Sequence, residues 1–378
     1  MSTKRHSIAS IPGDGIGPEV VDQGLLVLEA VAEAAGFECE VESFPWGCNY
    51  YLEHGSMMPS DGIDLLSKFD AIYLGAVGRP SQVPEEIAVR GLVLNIRFSF
   101  DQYANVRPVR PLSGAPFPMV RPSQDQIDFV VAREATEGMY VGRGGRHGVD
   151  DAAVAEIVGM RRSFQLSSEI ALQTGVFSDY GTRRIVEYAF RLAEERDGRR
   201  LVTSATKANA MPHGMALWNE VFDEVAAEHP DVEAEWNNVD ALAMRMVLAP
   251  DQLDVVVAPN LFGDILTDLS AALLGGLGFA PAANITSGKG PSMFEPCHGS
   301  APDIAGRGVA NPIAALLTLA MMLRDLGEAE AAAAVEAGVA EVVEAGEVRT
   351  PDMGGDAGTR QMGQAVAQAA VGRLAARG

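Results

Sequence analysis

The chain has 378 residues, of which 47% are hydrophobic and 21% are charged, a composition typical of a soluble globular protein. Its formal net charge of −22 argues against nucleic acid as a partner, because phosphate binding needs clustered Lys and Arg. An anionic substrate would have to be held by a local group of cations against an unfavourable overall field.

The length is sufficient for a large core and predicts two domains. Three cysteines without a CxxC pair predict a reducing compartment and no disulfide framework. The N-terminal "MSTKRHSIASIPGDG" lacks the apolar centre of a signal peptide, and the longest apolar run, "PIAALLTLAMML", is too short to span a bilayer. We therefore expect a cytoplasmic protein without a membrane partner.

The first predicted strand is "HSIASI", which leads through "GDGIGPEV" into a helix that opens at Pro18 and runs to Gly36. Further along, "FDAIYLGAVG", "DFVVARE", "RLVTSATKAN" and "LDVVVAPN" each predict a strand that ends in a loop. "YGTRRIVEYAFRLAEERDG" predicts a helix that Gly198 caps. This alternation predicts an α/β fold with a largely parallel sheet.

The glycines of "GDGIGPE" run as G-x-G-x-G and are followed by proline. The third glycine falls one position earlier than in the dinucleotide fingerprint GxGxxG, so pyrophosphate binding is not inferred from this stretch. We interpret it as a strand-to-helix turn.

The stretch from Val141 to Ser168 is rich in Gly, Arg and mixed charge, and it fits neither a helical nor a strand period. It predicts a loop or an extended arm. Its "RGGR" occurs once in an acidic chain, so a mobile loop is favoured over an RNA-binding tract.

Two carboxylates lie four residues apart in the apolar segment "NLFGDILTDLS". One helical turn would place Asp264 and Asp268 on the same face, with Cβ atoms about 5–6 Å apart. One interpretation is a solvated polar face, with the neighbouring apolar residues packed inward. The other is a site for a divalent cation such as Mg²⁺ or Mn²⁺, which takes oxygen ligands. This segment alone leaves both interpretations open.

Chemistry in open α/β sheets gathers beyond the carboxyl ends of the strands, so polar residues that follow strands are candidates for a site. They are Arg133 with Tyr140, Lys207 with Asn209, and Asn260 with Asp264 and Asp268. Together they offer cations, a phenol and carboxylates, which is sufficient for a metal-assisted reaction on an anionic substrate.

Six long motifs occur in order along nearly the whole chain: "IPGDGIGPEV", "FDQYANVRP", "VAREATEGMY", "TSATKANAM", "NLFGDILTD" and "FEPCHGSAPDIAGRGVANP". They resemble the metal-dependent β-decarboxylating dehydrogenases, the family of isocitrate, isopropylmalate, homoisocitrate, tartrate and D-malate dehydrogenases. The resemblance implies a doubly wound α/β fold like that of isopropylmalate dehydrogenase, without the GxGxxG fingerprint. It further implies a discontinuous cofactor-binding domain, residues 1–102 plus 276–378, and a central substrate, metal and dimerisation domain, residues 103–275. An arm near residues 141–175 would join two subunits.

The resemblance also implies roles for matched positions. Arginines that bind substrate carboxylates are Arg97, Arg107 and Arg133; catalytic residues are Tyr140, Lys207 and Asp240; metal carboxylates are Asp240, Asp264 and Asp268. Lys207 and Asp240 would reach the site from the partner subunit of a homodimer. Arginine forks suit a dicarboxylate substrate, Lys207 would help to remove the hydroxyl proton, and Tyr140 would return a proton after CO₂ leaves.

The cofactor residues are matched in the same way, and they are Asn209, Glu295, His298, Gly299, Asp303 and Asn311. Asp303 would accept hydrogen bonds from both ribose hydroxyls and would repel a 2′-phosphate, so we expect NAD rather than NADP. The metal would be Mg²⁺ or Mn²⁺, and whether a monovalent cation is also needed stays open.

The segments "WGCNYYLEHGSMMPSDGIDLLSKFDAIYLGAVGRPSQVPEE" and "FDQYANVRP" resemble the tartrate and D-malate branch, so one of these acids is the expected substrate. An alternative is isopropylmalate, because Val93, Leu94 and Ile96 could face an alkyl group. A non-enzyme alternative is a regulatory subunit of a hetero-oligomeric relative, although the catalytic set is complete. Asn95 and Ala135 depart from the family pattern.

Overall fold

The structure is a computed structural model that describes residues 4–149, 151–154 and 169–376. Its strands are β1 (Arg5–Gly13), β2 (Glu38–Ser43), β3 (Ala71–Ala76), β4 (Ala104–Val109), β5 (Phe129–Glu134), β6 (Gly138–Gly148), β7 (Glu169–Val176), β8 (Leu201–Thr206), β9 (Glu233–Asn238), β10 (Val255–Ala258), β11 (Pro281–Ile285) and β12 (Ser292–Pro296). Its α-helices are α1 (Gly17–Ala35), α2 (Cys48–His54), α3 (Gly62–Leu66), α4 (Glu85–Ala88), α5 (Leu94–Ser99), α6 (Asp179–Arg196), α7 (Gly214–Glu228), α8 (Val239–Leu248), α9 (Asn260–Leu273), α10 (Ile313–Asp325), α11 (Ala329–Ala345) and α12 (Thr359–Ala375). A π-helical turn, Val89–Val93, joins α4 to α5.

The main sheet has the strand order β2-β1-β3-β12-β11-β4-β5-β10-β8-β9. Four strands at one end are mutually parallel, as are the four at the other end. The pairings β12–β11, β11–β4 and β4–β5 in the middle are antiparallel. The prediction of a largely parallel sheet is confirmed, and the change of direction lies at the centre, where Arg107 and Arg133 are.

Helices cover both faces of the sheet, as a doubly wound fold requires. Side chains along β1 point to opposite faces of the sheet. Ile8 packs into the core on one face, and Ala9 and Ile11 pack into the core on the other. On β10, Val256 and Val257 likewise enter different cores. This burial on both sides explains why the central strands read as continuous apolar runs in the sequence.

Two of the three core clusters each draw on one predicted domain, and the third contains residues from both. One cluster consists of residues between 103 and 257, and a second of residues between 9 and 100 together with Met293. The largest cluster combines residues from both predicted units, from Ile8 through Val256 to Ala370. The boundaries at 102/103 and 275/276 therefore stay predictions.

Two local predictions can be compared directly with the structure. The first helix spans Gly17–Ala35 and Gly36 follows it in the left-handed region at φ 78°, close to the predicted limits. The prediction that Gly198 caps α6 is wrong, since Asp197 takes the left-handed position at φ 46°. Aspartate tolerates this conformation, and its carboxylate accepts a hydrogen bond from Arg200 Nε at 2.8 Å.

β6 and β7 form a separate antiparallel pair whose residues are mostly exposed. This pair lies where an arm was predicted near residues 141–175. Residue 150 and residues 155–168 of that segment lie outside the described residues. Across the described ranges, we find no helix that combines the length and the apolar character needed to cross a membrane.

Candidate active site

A cavity of about 530 Å³ opens beside the centre of the sheet. It brings together seven of the predicted site residues: Arg97, Arg107, Arg133, Tyr140, Asp264, Glu295 and His298. Arg107 and Arg133 come from the adjacent strands β4 and β5, and Glu295 from β12, so the antiparallel centre of the sheet positions these side chains. These seven predicted residues therefore combine three cations with two carboxylates, a phenol and an imidazole.

Each guanidinium group in the cavity has an acidic partner, which makes its burial tolerable. Arg97, only 7% exposed, donates to the carboxylate of Glu295. Arg107 Nη2 lies 3.7 Å from Asp264 Oδ1, and its Nη1 lies 3.5 Å from Asp268 Oδ1. The guanidinium groups are therefore already paired with protein carboxylates, and a dianionic substrate would have to share them with these acids.

Arg133 is the most rigidly held of the three arginines. Its Nε and Nη2 donate to Asn260 Oδ1 at 3.0 and 2.7 Å, and its Nη1 donates to Asp264. Burial lowers the pKa of Arg133 to about 10 despite the attraction of Asp264, so the group stays charged at neutral pH. Gly263 permits this packing, because a Cβ there would lie 2.7 Å from Arg133 Cβ.

Tyr140 and Asp264 are joined by a hydrogen bond that the phenol donates. Burial, together with this bond and the charge of Asp264, raises the pKa of Tyr140 above its ordinary value. Burial alone would raise the pKa of Asp264, but Arg133, the bond from Tyr140 and Arg107 outweigh it and hold the pKa below its usual range. At neutral pH the site therefore contains a protonated phenol next to an ionised carboxylate.

Asp264 and Asp268 lie one turn apart on α9, as the spacing predicts. Their side chains are 36% and 69% exposed, and Arg107 contacts both. Both are hard oxygen donors of the kind that Mg²⁺ and Mn²⁺ accept, so this pair fits part of a divalent-metal site. Among the described residues, no group of three His, Cys, Asp or Glu side chains is placed to hold a metal.

The structure does not bring Lys207 and Asp240 into the cavity of their own chain. Lys207 Nζ lies 2.6 Å from Asp240 Oδ1, between the end of β8 and the first turn of α8. The hydrogen bond from Lys207 holds the pKa of Asp240 below its usual range. Asn209, two residues beyond Lys207, is exposed and also lies outside the cavity.

Glu295 and His298 lie at the end of β12, on the side where the predicted cofactor loop begins. Burial alone would raise the pKa of Glu295, but the charge of Arg97 and a hydrogen bond from Asn284 Nδ2 at 2.9 Å outweigh it and lower the pKa. Burial lowers the pKa of His298, so this imidazole is neutral at neutral pH. Its Nε2 atom is buried and has no hydrogen-bond partner in the described structure.

The remaining predicted cofactor residues differ in what surrounds them. Gly299 faces open space, with no atom within 4 Å of a Cβ placed there, and Asp303 is exposed. The unsatisfied His298 nitrogen, the space at Gly299 and the exposed Asp303 carboxylate fit a polar ligand such as a dinucleotide. Asn311 is different, because it contacts Asp352 at 2.9 Å and accepts from the amide of Ile313.

Sequence reasoning missed four ionisable residues on the cavity wall, namely Glu85, Glu86, Arg90 and Cys297. Arg90 Nε lies 3.6 Å from Glu86. Its guanidinium packs against Gly142, where a Cβ would lie 2.8 Å from either terminal nitrogen. Arg90 stands seven residues before Arg97, a spacing that would place both on one face of a regular α-helix, but the π-helical turn Val89–Val93 changes that register.

Val89, Val93 and Leu94 also line the cavity. Ile96 is wrongly grouped with the residues that could face an alkyl group, because it is fully buried in a core cluster.

The two residues that depart from the family pattern lie outside the cavity. Asn95 is exposed. Ala135 is buried, and its amide donates to the carbonyl of Tyr103 at 2.8 Å.

A sheet with helices on both faces and a cavity lined by arginines, Tyr140 and Asp264 define an α/β enzyme for an anionic substrate. Residues 7–366 match the family described as isocitrate/isopropylmalate dehydrogenase, and the chain belongs to this family. The resemblance of the motifs is thereby confirmed.

Individual relatives are similar to this chain over nearly its whole length. "Probable tartrate dehydrogenase/decarboxylase TtuC" of Agrobacterium vitis is 49% identical over 371 residues, 98% of this chain and 97% of that protein. The D-malate dehydrogenase (decarboxylating) of Escherichia coli (strain K12) is 45% identical over 370 residues, 96% of this chain and 98% of that one. The crystal structure of isocitrate dehydrogenase from Methylococcus capsulatus has a TM-score of 0.83 at 35% identity, and the match covers 97% and 99% of the two chains. Family and relatives together support a decarboxylating dehydrogenase of a hydroxy acid.

Proposed function

We propose that the chain catalyses the NAD- and divalent-metal-dependent oxidation of a 2-hydroxy dicarboxylic acid, with decarboxylation, and that the acid is tartrate or D-malate. This proposal rests on the observation that Arg97, Arg107, Arg133, Tyr140 and Asp264 line one cavity. A dicarboxylate needs several cations, and an acidic chain must supply them locally.

The three arginines would bind and orient the substrate carboxylates. Arg107 and Arg133 are fixed by uncharged partners as well as by acids, since Thr267 Oγ1 accepts from Arg107 at 2.8 Å and Asn260 accepts from Arg133. A substrate carboxylate can therefore approach guanidinium groups whose orientation is already set, which reduces the cost of ordering them on binding.

Asp264 and Asp268 would hold the metal, with Asp240 of the partner subunit as a third carboxylate. A divalent cation bound there would act as a Lewis acid on the 2-hydroxyl group and the adjacent carboxylate of the substrate. Arg133 helps to keep Asp264 ionised at neutral pH, which is the state that a metal ligand needs.

Tyr140 and Lys207 divide the proton transfers in this proposal. Lys207, supplied by the partner subunit, would take the hydroxyl proton while hydride leaves C2 for the nicotinamide. Tyr140 stays protonated at neutral pH and would donate to the carbon from which CO₂ has departed. Asp264 accepts the hydrogen bond of Tyr140, so it fixes the phenol in the cavity.

NAD is proposed as the acceptor because Asp303 presents an exposed carboxylate in the loop after β12. A carboxylate suits two ribose hydroxyls and repels a 2′-phosphate. His298 Nε2 would satisfy its missing hydrogen bond with the bound dinucleotide.

A homodimer with shared sites is proposed from the exposed apolar surface beside the metal carboxylates. Large apolar side chains are 45–67% exposed on β9, α8 and α9, and they are Trp236, Met244, Val247, Leu248 and Ile265. Ile265 adjoins Asp264, and α8 also carries Asp240, so a partner covering this surface would approach both carboxylates. We also infer a cytoplasmic location, because Cys39, Cys48 and Cys297 are all free thiols.

Isopropylmalate is the second candidate substrate, and Val89, Val93 and Leu94 on the cavity wall favour it. The relatives named for tartrate and D-malate, at 49% and 45% identity, favour the first proposal. The non-enzyme alternative, a regulatory subunit, is disfavoured because Tyr140, Lys207 and the three aspartates are all present.

A substrate panel tests the proposal on the purified full chain. D-malate, L-tartrate, meso-tartrate, isopropylmalate and isocitrate are each assayed with Mn²⁺ and with NAD or NADP, with and without chelator. We expect the highest kcat/KM with D-malate or a tartrate and NAD, and loss of turnover with chelator. A higher kcat/KM with isopropylmalate would select the second candidate, and no turnover with any acid would favour the regulatory subunit.

A further inference from the structure

We propose that Glu19 is a positioning residue for the dinucleotide, because its carboxylate holds the backbone of the loop that presents Asp303. This inference rests on the proposed function, which assigns that loop to the cofactor. It also gives a role to the "GDGIGPE" stretch, which the sequence alone identifies only as a turn between a strand and a helix.

The carboxylate of Glu19 accepts hydrogen bonds from two backbone amides of the loop. Oε1 accepts from the amide of Gly306, and Oε2 accepts from the amide of Gly308 at 2.9 Å. Both glycines are in the left-handed region, at φ 76° and 64°, which other residues rarely adopt. This backbone turns both N–H groups toward one carboxylate, three and five residues beyond Asp303.

Other contacts hold the two ends of the loop. At its start, the amide of Ile16 donates to the carbonyl of Ser300 at 2.8 Å. Gly15 makes this approach possible, since a Cβ there would lie 1.9 Å from the same oxygen. At its end, the amide of Thr359 donates to the carbonyl of Gly308 at 2.8 Å. The beginning of α1 is therefore the support against which the loop folds.

Glu19 supplies the polar contact that holds the middle of the loop, beside the packing of Ile304 against the core. Between residues 301 and 307, the remaining hydrogen bonds in the described structure are internal turns, from Ile304 to Ala301 and from Arg307 to Ile304. Without Glu19, the stretch that carries Asp303 would have hydrogen bonds to the rest of the protein only at its ends, and its middle would be held by the packing of Ile304 and Ala305 against the largest core cluster alone. Binding a dinucleotide would then require the stretch to be ordered first, and affinity would fall.

A simpler role for Glu19 is that of an acid in the first turn of a helix, where it interacts favourably with the helix dipole. The two roles predict different behaviour of Glu19→Asp. Aspartate keeps the charge in the first turn, but its shorter side chain cannot reach both amides. A dipole role predicts that Glu19→Asp binds cofactor like the wild type, whereas the positioning role predicts weakened binding.

The test measures dissociation constants of full-length wild type, Glu19→Gln and Glu19→Asp by calorimetry, first for NAD and then for D-malate with Mn²⁺. We expect the dissociation constant for NAD to rise about tenfold or more in both variants. The constant for D-malate and kcat at saturating NAD should stay within about twofold of wild type. Glu29→Gln is the matched control, because Glu29 is exposed on the same helix and makes no ion pair or hydrogen bond in the described structure.

Trypsin gives a second readout that needs no cofactor. Arg307 is exposed, and the bond that trypsin cuts after it joins it to Gly308, whose amide Glu19 holds. Cleavage at this bond should become several-fold faster in Glu19→Gln and stay unchanged in Glu29→Gln.

An NAD dissociation constant within about twofold of wild type in Glu19→Gln would overturn the proposal. An equal loss of NAD and D-malate binding would also overturn it, because that result means general destabilisation. If the wild type binds NADP in place of NAD, the proposed cofactor is wrong and the same comparison is made with NADP. If the wild type binds neither dinucleotide, the proposed function and the role of Glu19 both fail.

Discussion

The phenol of Tyr140 donates a hydrogen bond to the carboxylate of Asp264, so a protonated acid and an ionised metal-ligand candidate share one contact. Their pKa values move apart, since that of Tyr140 is raised and that of Asp264 is lowered. Pairs of groups whose pKa values are pushed in opposite directions are common where one side chain must donate a proton and another must remain an anion.

Tyr140→Phe removes the proposed acid and leaves the ring. We expect kcat to fall by about 10²- to 10⁴-fold, the usual contribution of a positioned acid or base, while Mn²⁺ binding stays close to wild type. Steady-state kinetics and calorimetry with Mn²⁺ check the two parts. A variant with wild-type kcat would show that the phenol is only a packing residue.

Asp303 leads us to expect that kcat/KM for NAD exceeds that for NADP by at least about tenfold, equivalent to about 1.4 kcal/mol. The physical reason is repulsion between its carboxylate and a 2′-phosphate. Asp303→Asn should reduce the ratio of kcat/KM for NAD to kcat/KM for NADP, because the charge is removed while hydrogen bonding is kept. Equal kcat/KM for the two dinucleotides in the wild type would rule out this role of Asp303.

Gly263→Ala should disturb the site without changing any polar residue. The added Cβ would lie 2.7 Å from Arg133 Cβ and Cγ, so α9 or the arginine must shift, at a cost of about 1–3 kcal/mol. Urea unfolding and kcat/KM measure the stability and the effect on the site.

Gly372→Ala is the matched control for Gly263→Ala. It lies on α12 with no atom within 4 Å of the added Cβ, and it should be neutral or slightly stabilising. Equal unfolding midpoints of the two variants would contradict the close packing of α9 on Arg133.

Glu295→Gln tests the buried ion pair between Glu295 and Arg97. The side chain of Arg97 is 9% exposed and that of Glu295 is 13% exposed. Removing one partner of a buried pair leaves the other uncompensated, so we expect a loss of about 3 kcal/mol at pH 7. The folded pKa of Glu295 lies below its unfolded value of about 4.3. Its stabilising effect is therefore fully present above that value and is lost as pH falls through the folded pKa.

Urea midpoints of wild type and Glu295→Gln should consequently differ most at pH 7 and converge as the pH falls below about 4.3. The control is Glu341→Gln, because Glu341 pairs with Arg373 on the surface and both side chains are about half exposed. That variant should differ from wild type by less than about 1 kcal/mol at every pH. If the difference in urea midpoint between wild type and Glu295→Gln does not depend on pH, the loss of stability comes from packing rather than from charge.

Local patterns in the sequence predicted the fold and much of the site, and the failures come from contacts between distant residues. The spacing of Asp264 and Asp268 follows from helical periodicity, and the strand ends follow from apolar runs. The position of Arg107 against both aspartates could not be predicted, because it depends on how β4 packs on α9. The same holds for Glu19 and Gly306, which are 287 residues apart in the chain.

The reversal of strand direction at the centre of the sheet is a second example. The sequence pattern of a strand does not show which strands it pairs with, so the alternation of strands and helices predicted a largely parallel sheet without locating the antiparallel pairings of β12, β11, β4 and β5. That crossing is what places Arg107 and Arg133 on the adjacent strands β4 and β5, with Glu295 two strands from Arg107 on β12. The motifs that identified the family supplied these residues without their arrangement.

The last prediction concerns sites shared between two subunits. Within one chain, Lys207 pairs with Asp240 and neither lines the cavity that contains Asp264. If Lys207 completes the site of the partner, then Lys207→Ala and Asp264→Ala are each inactive as homodimers. A mixed dimer has one site with both residues intact and one site with both defects. Random mixing makes about half of the dimers mixed, so about a quarter of wild-type activity should return.

The control combines two defects that belong to the same cavity, Asp264→Ala and Tyr140→Phe. In their mixed dimer each site carries one defect, so activity should not rise above that of the two homodimers. Co-expression with different tags shows whether mixed dimers form. If tagged mixed dimers of Lys207→Ala and Asp264→Ala are isolated and remain inactive, the two residues act within one chain, and the exposed apolar surface on α8 and α9 does not bring a second subunit into the site.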